Sequence, residues 1–400
     1  MSIIEKRKQK KMNLVFTTVR ENPDYTKTEI KASTGLSMES VIQYVDTLVQ
    51  DNCLYYSGSK GANVGRKGDC LRVNPDGAYF IGIKFTDLTV DTVLVNLAGD
   101  IIANESTTVT AASMTVDELI KHIFAGIDNI LCTLDSAHKQ KIKAIGIAAP
   151  GFIDSEQGIV REYFNIADGA TIRLRQILEE RYGIATYMSH TVKTKAIAYR
   201  LQPQNTGKDN FIYIFVGNGV AMATFMSGKL YKSPFKNDGE IGHIIIDENG
   251  EKCACGRRGC LETVVGNEAI VKRMRSSMQN GGFACLQNKR IEDITIDDFV
   301  LSVNAGDKDA VALVDEAARH IAYIAAMAIT VIGESKIVFC GEYIYTERFQ
   351  SSFRRFFERY CLNKVCENLS VEYIKNDKRT NAFDAAMYAY YRKFYGGSIA

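Results

Sequence analysis

Between residues 239 and 262 the chain reads Gly239-Glu-Ile-Gly-His243, and then Cys253-Ala-Cys-Gly-Arg-Arg-Gly-Cys260-Leu-Glu262. One imidazole and three thiols match the nitrogen and thiolate preference of a tetrahedral structural zinc site. His243, Cys253, Cys255 and Cys260 would complete such a coordination sphere, so structural Zn2+ is expected here. Metal-assisted catalysis is not, because no position remains for a reactive water. The Cys-x-Cys spacing is tighter than in a zinc finger, and the competing reading is three buried or redox-prone thiols beside a core histidine. The other seven of the ten cysteines are scattered singly, which argues against an oxidised scaffold and for a reducing, cytoplasmic setting.

A second cluster of interest lies in the first 75 residues. Apolar positions recur at helical spacing from Lys11 to about Val19, and the pattern stops at Asn22-Pro23, where proline disfavours helix in the residue before it. Thr26 and Glu29 stand in capping-box relation for a second helix, with Ile30 and Ala32 as its apolar contacts. Thr34-Gly35-Leu36-Ser37 then reads as a turn, with Gly35 in the left-handed conformation and Ser37 capping a third helix. On that helix Val41, Tyr44, Val45 and Leu48 form one apolar stripe.

This is helix-turn-helix spacing. It offers Ser37, Met38, Glu39, Ser40 and Gln43 to a DNA major groove, with Lys27 at the start of the second helix. Two short strands follow, at Cys53–Tyr56 and Cys70–Asn74, around a Gly/Ser/Lys-rich segment. That hairpin has the make-up of a wing, with Lys60, Arg66 and Lys67 available to phosphates or the minor groove. The competing reading is a three-helix fragment that never meets DNA. Residues 1–75 carry 12 Lys and Arg against 8 Asp and Glu, a mild basic excess in a chain whose formal net charge is +2.

These residues must be positioned by a larger scaffold. From Tyr79 the pattern gives three strands (Tyr79–Phe85, Thr89–Asn96, Ile101–Thr108), a long amphipathic helix capped by Thr115 and Glu118, and a buried strand, Ile142–Ala149. A related order recurs from Phe211, with strands at Phe211–Val216, Val220–Met226 and Ile241–Asp247, and later at Lys336–Cys340 and Val371–Ile374. Two related α/β lobes with a cleft between them are expected. In such a fold, glycine-rich hairpin turns hold ATP phosphates on backbone N–H groups. Here those turns are degraded. Lys84-Phe-Thr-Asp-Leu88 has no glycine and places a repelling Asp87, Gly217-Asn-Gly219 continues as Val-Ala-Met, and Gly341-Glu342 offers one glycine beside a carboxylate. With 400 residues, 46% hydrophobic and 24% charged, the chain is expected to be a soluble two-part globular protein without a membrane span or signal peptide.

The span from Gly146-Ile-Ala-Ala-Pro-Gly151-Phe-Ile-Asp154 through Glu240 and His243 to Glu262 resembles the ROK family of repressors and sugar kinases. With its N-terminal winged helix, the chain is similar to the repressor branch. The resemblance implies an actin-like (ribonuclease H-like) duplicated sugar-kinase fold in residues 76–400, following a winged helix-turn-helix domain in residues 1–75. It also implies a zinc motif at 243–260 and sugar ligands at Gly151, Asn165, Glu240, His243 and Glu262. Carboxylates that accept from vicinal hydroxyls, and an amide that both donates and accepts, suit that role.

The family's kinases carry Asn-Asp where this chain has Met188-Ser-His-Thr191. The general-base position thus falls on Thr191, which cannot accept the proton, and His190 is left as a cleft residue. The expectation is a sugar-responsive DNA-binding regulator, most simply a repressor of carbohydrate genes. Its partners would be operator DNA and a sugar or sugar-phosphate effector, and it would be a homodimer or dimer of dimers. The alternative is an active ROK sugar kinase using ATP.

Overall fold

A computed structural model describes residues 3–60, 68–86, 89–109, 115–162, 171–205, 209–233, 238–376 and 382–396. It divides into two compact units, residues 1–206 with 379–400 and residues 207–378.

The first unit opens with α1 (Ile3–Glu21), β1 (Tyr25–Thr26), α2 (Lys27–Thr34), α3 (Met38–Gln50), β2 (Leu54–Lys60) and β3 (Gly68–Val73). The last three strands form a small sheet in the order β1-β3-β2. Helix α1 starts eight residues earlier than the apolar periodicity indicates. After Ile3 and Ile4 its opening turns run Glu-Lys-Arg-Lys-Gln, residue types whose straight side chains lose little freedom in a helix. Thr26 and Glu29 form the expected capping box of α2. Gly35 ends that helix at φ 67°, and Ser37 caps α3 by accepting from the Ser40 N–H. Val41, Tyr44, Val45 and Leu48 are buried as expected. Ile30 is buried too, but Ala32 is exposed, because two residues along a helix turn a side chain to the opposite face.

The chain continues through β4 (Tyr79–Phe85), β5 (Thr89–Asn96), β6 (Ile101–Thr108), α4 (Val116–Cys132), α5 (Ser136–Gln140), β7 (Ile142–Ala149), the hairpin β8 (Phe152–Asp154) and β9 (Ile159–Glu162), α6 (Leu174–Tyr182), β10 (Thr186–His190) and α7 (Thr191–Arg200). Strand order is β6-β5-β4-β7-β10. The first three are antiparallel, and β7 and β10 join in parallel. Every residue of β4 is buried, as befits a central strand covered on both faces.

The second unit contains β11 (Phe211–Val216), β12 (Val220–Met226), β13 (Lys229–Leu230), α8 (Glu262–Val265), α9 (Asn267–Gln279), α10 (Ile296–Asn304), α11 (Lys308–Ile332), β14 (Lys336–Gly341), α12 (Glu347–Tyr360), α13 (Asn363–Asn368) and β15 (Ser370–Lys375). Its sheet, β13-β12-β11-β14-β15, repeats the first one strand for strand, antiparallel then parallel.

One expectation is corrected. The third strand of this lobe is β13, not Ile241–Asp247. That segment makes a 3-10 turn at Ile241–His243 and a lone bridge from Ile245 to Cys260. Its backbone is bonded instead to the cysteine loop, Ile246 N–H to Gly259 O and Leu261 N–H to Ile244 O, both at 2.8 Å.

The chain then re-enters the first unit as α14 (Phe383–Tyr391). This helix lies against β4 and β7 where they carry Gly82 and Gly146. A β-carbon at either position would run into the α14 backbone, at Ala382 O and Ala385 O respectively.

Candidate functional site

The motif from Gly239 to Glu262 folds into one cluster in the second unit. The ligand atoms of His243, Cys253, Cys255 and Cys260 lie within 4.8 Å of one another. Cys253 Sγ is 3.6 Å from His243 Nδ1, and Cys255 Sγ is 3.7 Å from Cys260 Sγ. A tetrahedron with metal–sulfur bonds of about 2.3 Å has sulfur–sulfur edges of roughly 3.8 Å, so the donor set fits a tetrahedral metal ion.

The thiols differ in character. Burial works to raise the Cys255 thiol, but hydrogen bonds from the Arg257 backbone and side chain and from the neighbouring thiols outweigh it and bring it down to about 6. Burial, with the adjacent thiols, pushes Cys260 up to about 12. A ready thiolate at the rim beside deeper thiols suits stepwise capture of a cation.

The same loop carries the two carboxylates expected as sugar ligands, Glu240 and Glu262. Gly239 takes φ 91°, and a β-carbon there would overlap Met222 O. Its carbonyl accepts from Met222 N–H at 2.7 Å, which pins the motif against β12. Glu240 is half-buried and leads into the turn ending at His243. Glu262 opens α8, and its Oε2 accepts from Val220 N–H at 3.0 Å. That oxygen lies 3.2 Å from the place a Gly242 β-carbon would occupy. Glu262 therefore lies against the turn that carries Glu240 and His243, with Gly242 making the room. His243 turns Nδ1 to the cysteines, which leaves Nε2 for a different partner.

In the first unit, His190 ends β10 in register with Ala149, and Gly151 follows two residues later at φ 73°. Both thus lie at the carboxyl end of parallel strands, where open α/β sheets receive ligands. Thr191 begins α7. Asn165 lies outside the described residues, as do Asp87, Arg66 and Lys67.

Two of the three phosphate-type turns are occupied by the protein's own groups. In Gly217-Asn218-Gly219, the Gly217 N–H donates to Gly219 O at 3.0 Å, and the next N–H, that of Val220, is the one taken by Glu262. After Gly341, the buried Glu342 accepts from Asn267 Nδ2 at 3.0 Å and from Asn376 Nδ2 at 2.9 Å. Gly341-Glu342 was legible as a poor turn, but the two asparagines had no local signal.

On the N-terminal module, Ser37, Glu39 and Gln43 are exposed, and Met38 and Ser40 are half-buried. Lys27 is paired with Asp46 at 2.9 Å and lies 5.6 Å from the centre of the Tyr56 ring. Lys60 is 3.6 Å from Glu29. Both lysines thus have internal partners. Ile42, 42% exposed, was missed, although its position one step off the apolar stripe could have marked it.

The architecture is that of a duplicated sugar-kinase-like chain bearing a small three-helix module with a β-hairpin. The model of the ROK family matches residues 81–389, and the chain belongs to that family. It is 26% identical over 278 residues to the xylose repressor of Bacillus subtilis (strain 168), covering 69% of this chain and 71% of that protein. It is 23% identical over 338 residues to the DNA-binding transcriptional dual regulator NagC of Escherichia coli (strain K12), covering 84% and 81%. Among solved structures, a ROK family transcriptional regulator described as a homolog of the E. coli MLC protein superposes with a TM-score of 0.82 at 20% identity, over 97% of both chains. A ROK family glucokinase from Streptomyces griseus superposes with 0.66 at 21% identity, over 78% of this chain and 99% of that one. Among the described residues, no helix is long and apolar enough to cross a membrane.

Proposed function

We propose that this chain is a sugar-responsive, DNA-binding transcriptional regulator, most simply a repressor of carbohydrate-metabolism genes. The observation that carries the reading is the N-terminal module, in which Ser37 caps a helix whose outer positions, Ser37, Glu39, Ile42 and Gln43, are exposed while Val41 faces the core. Two relatives named as regulators match long stretches of the chain. In this reading residues 1–75 bind operator DNA. Ser37, Met38, Glu39, Ser40 and Gln43 meet base edges, and Ile42 is available to thymine methyl groups. Lys27, Lys60, Arg66 and Lys67 meet phosphates, the first two by exchanging their internal carboxylates for phosphate oxygens.

The effector is a sugar or sugar phosphate. In the second unit Glu240 and Glu262 accept from its hydroxyls, and His243 donates from Nε2 while Nδ1 holds Zn2+. Gly151, Asn165 and His190 are the further sugar ligands of this reading. Zn2+, held by His243 and the three cysteines, supplies a structural tie that fixes the loop carrying Glu240 and Glu262. The protein works as a homodimer or dimer of dimers, matching the two-fold symmetry of an operator.

The kinase-like body is inactive in this reading. Thr191 cannot take a proton from an attacking hydroxyl. Glu262 and Glu342 place carboxylates at turns that would have to cradle phosphates, and phosphoryl transfer depends on positive charge and positioning there. The test is fluorescence anisotropy on DNA from upstream of the protein's own gene, at fixed salt, with and without a sugar panel, alongside an ATP-turnover assay. Specific binding shifted by one sugar supports the reading. ATP-dependent phosphorylation of a hexose at enzymatic rates would replace it with the kinase alternative.

A further inference from the structure

Helix α7 begins beside a residue of the proposed ligand set and ends on the DNA-reading module. At its start, His190 occupies the N-cap position with extended backbone and makes no side-chain capping bond. From Val192 to Tyr199 the helix is buried throughout. Lys195 Nζ is 3.0 Å from Asp384 Oδ2, a part-buried pair that ties α7 to the first turn of α14. A ten-residue helix, about 15 Å long, that is packed on all sides and pinned to its neighbour moves as a rigid body if it moves at all.

At the other end, the carbonyl of Leu201 accepts from Arg20 Nη2 at 2.6 Å. A guanidinium on the last carbonyls of a helix is favoured by the negative end of the helix dipole. Arg20 belongs to the last turn of α1, the first helix of the winged module. Its Nη1 donates to Tyr395 Oη at 3.3 Å, and its guanidinium carbon lies 5.1 Å from the centre of the Tyr390 ring. Next to it, Glu21 faces Arg200 at 3.7 Å and accepts from Tyr395 Oη at 3.3 Å. One turn earlier, Phe16 stacks on Phe394 with ring centres 4.2 Å apart. Asn13 Nδ2 donates to the Lys393 carbonyl at 3.3 Å.

The first helix of the module is thus held by the end of α7 and by the residues following α14. The joint is not fully satisfied. The hydroxyl of Tyr390, 1% exposed, has no hydrogen-bond partner among the described residues. A buried donor left unpaired weakens one arrangement against any alternative that pairs it, as expected of an element with two competing packings.

We propose, resting on the regulator reading above, that α7 is the lever carrying ligand occupancy at His190 to the DNA-reading module, with Arg20 as the positioning residue at its output end. Ligand contact shifts the start of α7, the rigid helix conveys the shift to Leu201, and Arg20 passes it to α1 and so to the orientation of α3. Arg20 touches neither DNA nor sugar in this scheme, so its loss separates the two binding events instead of abolishing either.

The test uses the full-length protein and its Arg20→Gln, Arg20→Lys and Tyr395→Phe variants. Operator affinity is measured by anisotropy with and without D-xylose, N-acetylglucosamine and N-acetylglucosamine 6-phosphate. Sugar affinity is measured by calorimetry with and without operator, since coupling must be reciprocal. In the wild type one of these sugars is expected to move operator affinity by about 5- to 150-fold, and in Arg20→Gln that ratio falls to within roughly twofold of unity while each separate affinity is kept. Arg20→Lys restores part of the ratio. Tyr395→Phe, which removes a single hydroxyl, reduces it without loss of fold and covers the case in which Arg20→Gln melts early. A responsive wild type whose ratio is unchanged in both Arg20→Gln and Tyr395→Phe overturns the lever and leaves the regulator reading standing. A wild type that no probe sugar moves removes both together.

Discussion

Cys255→Ser should cost this protein a metal ion and a measurable part of its thermal stability. Cys255 is the most accessible of the three thiols, so exchanging sulfur for oxygen there removes little packing, and any large effect must come from the lost ligand. A metal ion held by this cluster would join His243 to Cys260, residues 17 apart, and close that stretch as a disulfide would. By the chain-entropy model a loop of that size is worth roughly 3 kcal/mol. In a unit of this size each kcal/mol moves the melting temperature by about 2–4 °C, so a loss of roughly 6–12 °C is expected.

The assay is differential scanning fluorimetry before and after dialysis against a chelator, with metal content measured by mass spectrometry. Wild type should hold close to one Zn2+ per chain and lose about the same number of degrees to the chelator as to the mutation. The variant should be insensitive to the chelator, because both perturbations remove one tie. Glu240 and Glu262 ride on the same loop, so sugar response should weaken in parallel. A wild-type protein purified without metal, whose melting temperature no chelator changes, would refute the reasoning, as would an intact sugar response in the metal-free variant.

Three further outcomes are expected. Ser37→Ala removes the cap that accepts from Ser40 N–H at 3.2 Å and should lower stability of the N-terminal module by about 1 kcal/mol, weakening operator binding with no change in sugar affinity by calorimetry. Arg72 and Ser57 hydrogen bonds hold the Asp24 carboxyl down to about 2, against an ordinary 3.8. The tie from the α1–β1 turn to the wing hairpin is therefore complete above the ordinary value and fades as pH falls through about 2. Proteolysis or amide exchange of residues 22–73 should rise over that window in wild type and less so in Asp24→Asn. Finally, Thr191→Asp should not yield ATP turnover with any hexose, because the turns near Glu262 and Glu342 remain carboxylate-filled. Turnover at enzymatic rates in that single variant would show that the missing base alone silences the body.

Much of the fold was legible because local rules and tertiary packing agree. Thr26 with Glu29, Gly35 and Ser37 specify a helix, a left-handed stop and a new start within a few residues, and each bond they imply is present. The bounds of β7 were readable because a strand buried on both faces is a nearly continuous apolar run, broken here only by the exposed Lys143. The zinc-type cluster was readable because its chemistry is carried by residue type and three of its ligands lie within eight positions. What misled was Ile241–Asp247, whose run of isoleucines reads as a strand. Ile244 and Ile245 are exposed, and the backbone there is claimed by the cysteine loop.

By itself the sequence determined the class of scaffold, the helix-turn-helix spacing and the gathering of His243, Cys253, Cys255 and Cys260 into one cluster, since each rests on residue types at short spacing, where caps, periodicity and ligand chemistry act. Only the tertiary structure decided how those parts are wired. Asn267 and Asn376 clamp Glu342 across 75 and 34 residues. Arg20 grips Leu201 across 181 residues and Tyr395 across 375. A contact between residues so far apart is set by which surfaces come together inside each folded unit, and the neighbours of an arginine along the chain carry no record of the carbonyl it will reach.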